Sequence, residues 1–349
     1  MPTDKSVTDK APRAEGDLPK ADPREPLLAV DDLRVEFHTR DGTAQAVNGV
    51  SFTVEPGQTR AILGESGSGK SVTAQAIMGI VDSPPGRITG GSIMYRGIDL
   101  LTLPREQRRQ LRGTALAMIF QDALSALNPV FSVGFQLGEM FRIHRGMSRK
   151  DAKAKAVELL DMVRIPAARD RVNDYPHQFS GGMRQRVMIA MALALDPEVV
   201  IADEPTTALD VTVQAQIMKL LAELQTERNM GLILITHDMG VVADVADEIS
   251  VMYAGKVVEE APVHDIYASP AHPYTKALLE SIPRVDRRGR KLSVIEGLPP
   301  TLTAVPPGCS FAPRCRFSRD RCAVEDPPAY GVGPARRSRC HYWEEVQNS

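Results

Sequence analysis

The chain has 349 residues, 43% hydrophobic and 25% charged, with a formal net charge of -2. That length and balance suit one large core or two moderate ones and show none of the bias of a disordered or fibrous chain. The near-neutral charge also argues against a nucleic-acid protein, because phosphate-backbone binding depends on clustered cations.

Met1 to Pro26 is polar, mixed in charge and proline-rich, without an apolar h-region. It is expected to be a flexible tail rather than a secretory signal. Two strand-like patches follow, Leu27 to Phe37 and Ala46 to Val54, the second with Val50, Phe52 and Val54 alternating, and they suit an antiparallel layer. Thr59 to Leu63 (TRAIL) then reads as a short buried strand, and Ser71 to Ile80 as a helix.

Between that strand and that helix lies GESGSGKS, in which Gly64, Gly69, Lys70 and Ser71 satisfy G-x-x-x-x-G-K-[ST]. Small residues let backbone N–H groups curl around phosphate oxygens, the lysine ammonium reaches the outer phosphates, and the serine hydroxyl is placed to ligate Mg2+. Glu65, Ser66, Gly67, Ser68 and Val72 complete this candidate binding segment. The helix start adds roughly 0.3–1 kcal/mol for an exposed anion, so Lys70 is expected to dominate. A dinucleotide fingerprint is set aside, since Val72 stands where its third glycine would be.

Further on, Ala115 to Phe120 reads as a strand ending at Gln121, and Ser148 to Ile165 as a helix opened by the cap-like pair Ser148 and Asp151. In FSGGMRQR, Ser180 is a good N-cap, Gly181 and Gly182 expose N–H groups, and Met183 to Leu195 is helix-forming. This is a second anion-binding helix start. Arg184 and Arg186 read as solvated flanks of that helix rather than phosphate ligands. The apolar run Val187 to Leu195 is about half of the ~18–20 residues a membrane span needs, and no other run approaches it.

Val199 to Ala202 suits a buried parallel strand with Asp203 and Glu204 at its emerging end. Asp203 can hold the hydration shell of magnesium, while Glu204 can orient or deprotonate an attacking water. Val211 to Arg228 and the strand Leu232 to Thr236 return to the core, and His237 ends that strand at the edge where α/β ligands bind.

In this order the motifs resemble those of the nucleotide-binding subunits of ABC transporters. The resemblance makes Gly64 to Ser71 Walker A, Gln121 the Q-loop, Ser180 to Met183 the signature, and Asp203 with Glu204 Walker B. It likewise makes Thr207 to Asp210 (TALD) the D-loop and His237 the switch histidine. It implies that Gln121 serves magnesium and the hinge to the helical subdomain, and that His237 serves the γ-phosphate and the catalytic water. Met183 departs from the commoner glutamine, removing an amide while leaving the serine and glycine donors. Phe37 stands where the family stacks an aromatic ring on adenine, although a ring on this strand equally suits the core. The implied fold is α/β: a P-loop NTPase of the ABC type over residues 27–260, with an antiparallel β layer and an inserted helical subdomain at about 122–185. One P-loop and one signature make one module, so ATP would be sandwiched between two such subunits.

After residue 260, AHPYTKALLESIPRVD and PPGCSFAPRC resemble the C-terminal extension of peptide-importer ATPases of the oligopeptide and dipeptide permease group. That resemblance implies a homologous second ATPase subunit, two transmembrane permease subunits, a peptide-binding protein reached through the permease, and a peripheral place on the cytoplasmic face of the membrane. Importers of nickel or another small solute are close relatives. A soluble ABC ATPase of translation or DNA repair is the alternative class, but neither its tandem modules nor its long coiled-coil insertion is present. The basic stretch Arg284 to Lys291 reads as a solvated linker.

All four cysteines, Cys309, Cys315, Cys322 and Cys340, fall in this extension, separated by five, six and seventeen residues. A cytosolic setting disfavours disulfides, and clustered thiols suggest a shared metal. Structural zinc usually shows tighter C-x2-C knuckles, so the spacing leans toward a 4Fe-4S cluster, with Zn2+ or buried free thiols as alternatives.

Overall fold

The structure is a computed structural model that describes residues 21–122, 126–207, 209–282 and 295–349. Most of the expected N-terminal tail and the basic stretch Arg284 to Lys291 lie outside the described residues.

Strands β1 (Leu28–Thr39) and β2 (Gly42–Val54) pair antiparallel, and β2 buries Val50, Phe52 and Val54 while turning Thr53 outward. That alternation gives the layer one core face and one open face. β3 (Thr59–Leu63) is buried at every residue and leads through the glycine-rich loop into α1 (Lys70–Met78). β4 (Gly86–Tyr95) and β5 (Ile98–Asp99) complete the antiparallel sheet, whose order is β2-β1-β4-β5. The short α2 (Arg105–Leu111) precedes β6 (Leu116–Ile119).

An inserted helical layer follows: α3 (Val133–Arg145), α4 (Arg149–Met162), α5 (Ala168–Arg171) and α6 (Gly181–Leu193). Serine side chains start three of these helices, Ser132 accepting from Phe135 N, Ser148 from Asp151 N and Ser180 from Met183 N. Each satisfies one of the orphan donors of a first turn. Gly138 lets α3 approach α4 closely, since a Cβ there would already touch Ala152 at 3.6 Å. Arg186, expected as a solvated flank, is half-buried and stays out of the cleft at the glycine-rich loop. Its guanidinium reaches back to the Val163 carbonyl at 3.0 Å, joining α6 to the end of α4.

The chain then returns through β7 (Val199–Asp203), α7 (Val211–Arg228), β8 (Gly231–Thr236), α8 (Met239–Val242), β9 (Glu248–Tyr253) and β10 (Lys256–Pro262). β7 and β8 are buried at every residue, as a parallel strand covered on both faces must be. The remaining elements are α9 (Val263–Ala268), α10 (Pro273–Glu280), α11 (Asp320–Val324), β11 (Tyr330–Gly333), β12 (Arg336–Ser338) and α12 (Trp343–Gln347).

The second sheet has the order β11-β12-β10-β9-β3-β8-β7-β6, with β9, β3, β8, β7 and β6 mutually parallel. Its opposite edge is antiparallel, and Glu259 and Glu260 of β10 pair with Ser338 and Arg337 of β12. The C-terminal hairpin therefore extends the same sheet that carries the glycine-rich loop at its centre. Among the described residues no helix is long and apolar enough to cross a membrane.

Candidate nucleotide site

The loop after β3 holds its shape through glycines that no other residue could replace without movement. Gly64 and Gly69 have φ of 152° and 105°, and a Cβ on them would collide with the carbonyl oxygens of Met252 and Ala46. Lys70 is buried, and its ammonium donates to the carbonyls of Gly64 at 2.7 Å and Glu65 at 3.0 Å. Burial lowers its pKa, opposed by the nearby charges of Glu204, Asp203 and Glu65. The Ser68 hydroxyl is buried in the loop without a protein partner. It does not line the cleft, and it sits under the loop beside Gly64, whose added Cβ would fall 2.8 Å from it.

Ser71 and Asp203 come from distant parts of the chain and meet where α1 starts and β7 ends. Ser71 Oγ donates to Asp203 Oδ1 at 3.0 Å. Burial pushes the Asp203 carboxyl up, the Ser71 hydrogen bond and Lys70 oppose that, and Glu204 adds to it. Hydroxyl and carboxylate oxygens side by side are a donor set that suits a hard cation such as Mg2+.

Glu204 is the centre of the opposite wall. Gln121 Nε2 and Thr207 Oγ1 donate to its Oε2 at 3.0 and 2.9 Å, and His237 Nδ1 lies 3.2 Å from its Oε1. Its backbone is left-handed, with φ of 45°, and its N–H donates to the Ile235 carbonyl of β8 at 2.8 Å. Burial pushes its pKa up, but the bonds to Thr207 and His237 outweigh that and hold the carboxyl below its ordinary value. The carboxylate is thus kept ionised at neutral pH, as a proton acceptor must be.

These residues line one cleft of about 590 Å³ that contains Glu65, Ser66, Gly67, Gly69, Lys70 and Ser71, with Val72, Gln121, Glu204 and His237. Ala46 and Leu302 supply further apolar wall. Phe37 is not part of that lining. It is half-buried against the core of the antiparallel layer, close enough to Gly86 that a Cβ there would press on its ring. Ser180, Gly181 and Gly182 do not line the cleft either, and Gly182 is packed so closely on Val213 that a Cβ would fall 2.6 Å from it. Asp210 uses its carboxylate to cap α7, accepting from Val213 N at 3.0 Å.

Several members of this site were not predicted. The sequence places Thr207 only in a loop motif, although its position three residues after Glu204 is the signal for a local hydroxyl-to-carboxylate bond. From the C-terminal extension Leu302 lines the cleft, and Tyr274 and Arg314 stand behind it, bonded to Glu65 of the glycine-rich loop, with nothing in their local sequence that points there.

In the extension no cysteine is in a disulfide, and Cys322 and Cys340 are buried. The Cys309 N–H donates to the Cys322 carbonyl at 2.8 Å, and the Cys315 sulfur accepts from Phe317 N at 3.3 Å. Burial pushes the thiols of Cys309, Cys315 and Cys340 up, Cys315 to about 11 and Cys340 to about 12, with smaller contributions from the other cysteines. The four therefore share one neighbourhood. Among the described residues, however, no three His, Cys, Asp or Glu side chains are arranged to hold a metal ion.

Comparison with known proteins agrees with this geometry. Residues 47–207 match the family described as ABC transporter, and residues 258–322 match the oligopeptide/dipeptide transporter C-terminal region. The chain is 53% identical over 291 residues to the dipeptide transport ATP-binding protein DppD of Bacillus subtilis strain 168, covering 83% of this chain and 87% of that one. Among solved structures it is similar to a dimeric ATP-binding cassette in a post-hydrolysis state with ADP and phosphate, at TM-score 0.61 and 27% identity, over 68% of this chain and 98% of the other. It is also similar to cbiO1 of Clostridium perfringens, part of an ABC transporter complex, at TM-score 0.60 and 28% identity, over 70% of this chain and 92% of the other. At the identity and coverage of the Bacillus relative, the chain belongs to the ABC transporter ATP-binding family.

Proposed function

We propose that this chain is the ATP-hydrolysing subunit of a membrane importer of di- or oligopeptides. The observation that carries the reading is the placement of Glu204 across the cleft from Lys70, fixed by Gln121, Thr207 and His237. Lys70 and the loop N–H groups bind and orient the phosphates, and Ser68 belongs to the loop without lining the cleft. Glu204 takes a proton from the attacking water, and His237 and Thr207 keep its carboxylate ionised and aimed. Ser71 and Asp203, with Gln121, are the residues that would hold Mg2+, which when bound neutralises charge on the phosphate oxygens. Phe37 is kept as a candidate for the adenine side, although it stands outside the cleft lining.

Ser180, Gly181, Gly182 and Asp210 lie outside the cleft of their own chain. This suits a site completed by a second ATPase subunit, whose signature would bring its helix start to this γ-phosphate. We take residues 27–260 as the ATPase domain, with its helical subdomain at about 122–185 facing two transmembrane permease subunits, and 261–349 as the extension. The match of that extension to the peptide-transporter region, and the name of the Bacillus relative, favour a peptide as the solute, delivered by a binding protein. The second ATPase subunit is a homologue, and the pair sits peripherally on the cytoplasmic face of the membrane.

The four cysteines are proposed to hold a 4Fe-4S cluster. What supports the reading is the set of residues: all four cysteines of the chain fall in the extension, none is in a disulfide, and the Cys309 N–H bonds the Cys322 carbonyl. Anaerobic purification with iron and sulfide assay and a visible spectrum tests this. A colourless protein, with zinc or without metal, would exclude it.

The transport reading is tested by purifying the assembled complex from membranes and measuring ATPase activity with a peptide-loaded binding protein. Stimulation by di- or oligopeptide supports it. An ATPase that never copurifies with permease subunits and ignores peptide overturns it.

A further inference from the structure

We propose that Arg314 in the C-terminal extension is a positioning residue for the phosphate-binding loop, so that ATP affinity depends on how the extension is seated against Glu65. The inference rests on reading the cleft as the ATP site. Three separate groups of Glu65 are engaged. Its carbonyl accepts from the Lys70 ammonium at 3.0 Å, its N–H donates to Tyr274 Oη at 2.8 Å, and its carboxylate takes a two-pronged ion pair from Arg314 at 2.6 and 3.0 Å. Two of those three partners belong to the extension, more than 200 residues away in sequence. Whatever displaces Glu65 displaces the carbonyl that holds the lysine.

The clamp is built rather than incidental. The Arg314 side chain is only 5% exposed, whereas most arginine pairs on this chain are open to solvent. Its other donors reach the carbonyls of Glu296 at 3.0 Å and Ile295 at 3.4 Å, and its guanidinium stands 5.8 Å from the Tyr253 ring and 6.0 Å from Phe311. A planar fork so enclosed is fixed in direction as well as charge, which a lysine could not reproduce. Tyr274 is fully buried and packs on the same two rings, at 4.7 Å from Tyr253 and 5.3 Å from Phe311. The extension also reaches the cleft directly, since Leu302 lines it and the Leu302 carbonyl accepts from Gln45 N at 3.2 Å. Arg314 therefore ties the wall of the extension to the base of the lysine cradle, and Cys315 is its immediate neighbour in sequence.

The test is steady-state ATPase kinetics and nucleotide binding on the full-length chain in its purified assembly. Arg314→Met is expected to raise the KM for ATP roughly tenfold with kcat within about twofold, because a charge-assisted bond that positions binding groups is lost while Glu204 is untouched. Tyr274→Phe removes only a hydroxyl and is expected to raise KM in the same direction by a smaller factor. Combining Glu65→Gln with Arg314→Met should be no worse than the poorer single variant. Lys70→Ala, run in parallel, separates the two readings: if it leaves ATP binding intact, the ATP-site reading fails. If Lys70→Ala abolishes binding while Tyr274→Phe and Arg314→Met keep KM within twofold of the parent, the positioning role of Arg314 is overturned. Additive losses in the double variant overturn it as well. Should Arg314→Met fail to fold, Tyr274→Phe decides alone.

Discussion

Thr207 Oγ1 donates to Glu204 Oε2 at 2.9 Å, on the carboxylate whose other oxygen faces His237 Nδ1 at 3.2 Å. The pair lies within a single turn, yet it sets the chemistry of the whole cleft. A carboxylate that is half-withdrawn from solvent would drift toward the neutral form, and this hydroxyl is one of the groups that prevents it.

Thr207→Val keeps the shape and removes the donor. The Glu204 carboxyl should then rise, so the acid limb of the kcat/KM profile should move to higher pH while the plateau is largely retained. A pH–rate profile of parent and variant checks it, and a limb that stays in place or moves lower contradicts the assignment.

Glu204→Gln conserves volume and keeps an oxygen for Thr207 but cannot accept a proton from water. ATP hydrolysis should fall by roughly 10²–10⁴-fold while ATP still binds, and the two-subunit closed state should accumulate. Single-turnover hydrolysis with size-exclusion in ATP measures both parts.

Lys70→Ala removes the ammonium that bridges the Gly64 and Glu65 carbonyls. Nucleotide binding or turnover should be abolished, and the thermal midpoint without nucleotide should fall modestly, since the two loop carbonyls lose their donor. The nucleotide-dependent rise in midpoint seen in the parent should be absent.

Glu259 of β10 is wholly buried beside the Ala271 and His272 N–H groups, which donate to it at 2.6 and 2.9 Å. Burial pushes its carboxyl up to about 7 from an ordinary 4.5, and those bonds oppose it without prevailing. A raised carboxyl stabilises the fold fully below about 4.5 and loses that contribution as pH rises through about 7, a change of roughly 3 kcal/mol. Relative to Glu259→Gln, the parent should therefore lose stability between pH 5 and 7. Thermal unfolding across that window measures it, and parallel curves for the two proteins would refute the effect.

Much of this was legible in the chain itself. The strands Thr59 to Leu63 and Leu232 to Thr236 fall where the sequence puts them, because each is a short, largely apolar run of the kind a buried parallel strand needs. Ser148 and Ser180 cap the helices they precede. The same local logic identified Lys70, Ser71, Asp203 and Glu204. Arg186 was legible only in part: it keeps out of the cleft, but the Val163 carbonyl left open at the end of α4 takes its guanidinium. Phe37 likewise found its neighbours in the antiparallel layer rather than in the cleft.

By itself the sequence determined the glycine-rich loop, the hydroxyl and carboxylates that accompany it and the order of elements that delivers them to one sheet edge, because glycine conformation, hydrophobic period and caps act over a few residues. Only the tertiary structure decided which distant groups face one another. The closing of Gln121 and His237 around Glu204, the weld of β12 to β10, and the seating of Arg314 and Tyr274 on Glu65 are all contacts between segments whose proximity is set by the packing of the sheets. No local pattern encodes them.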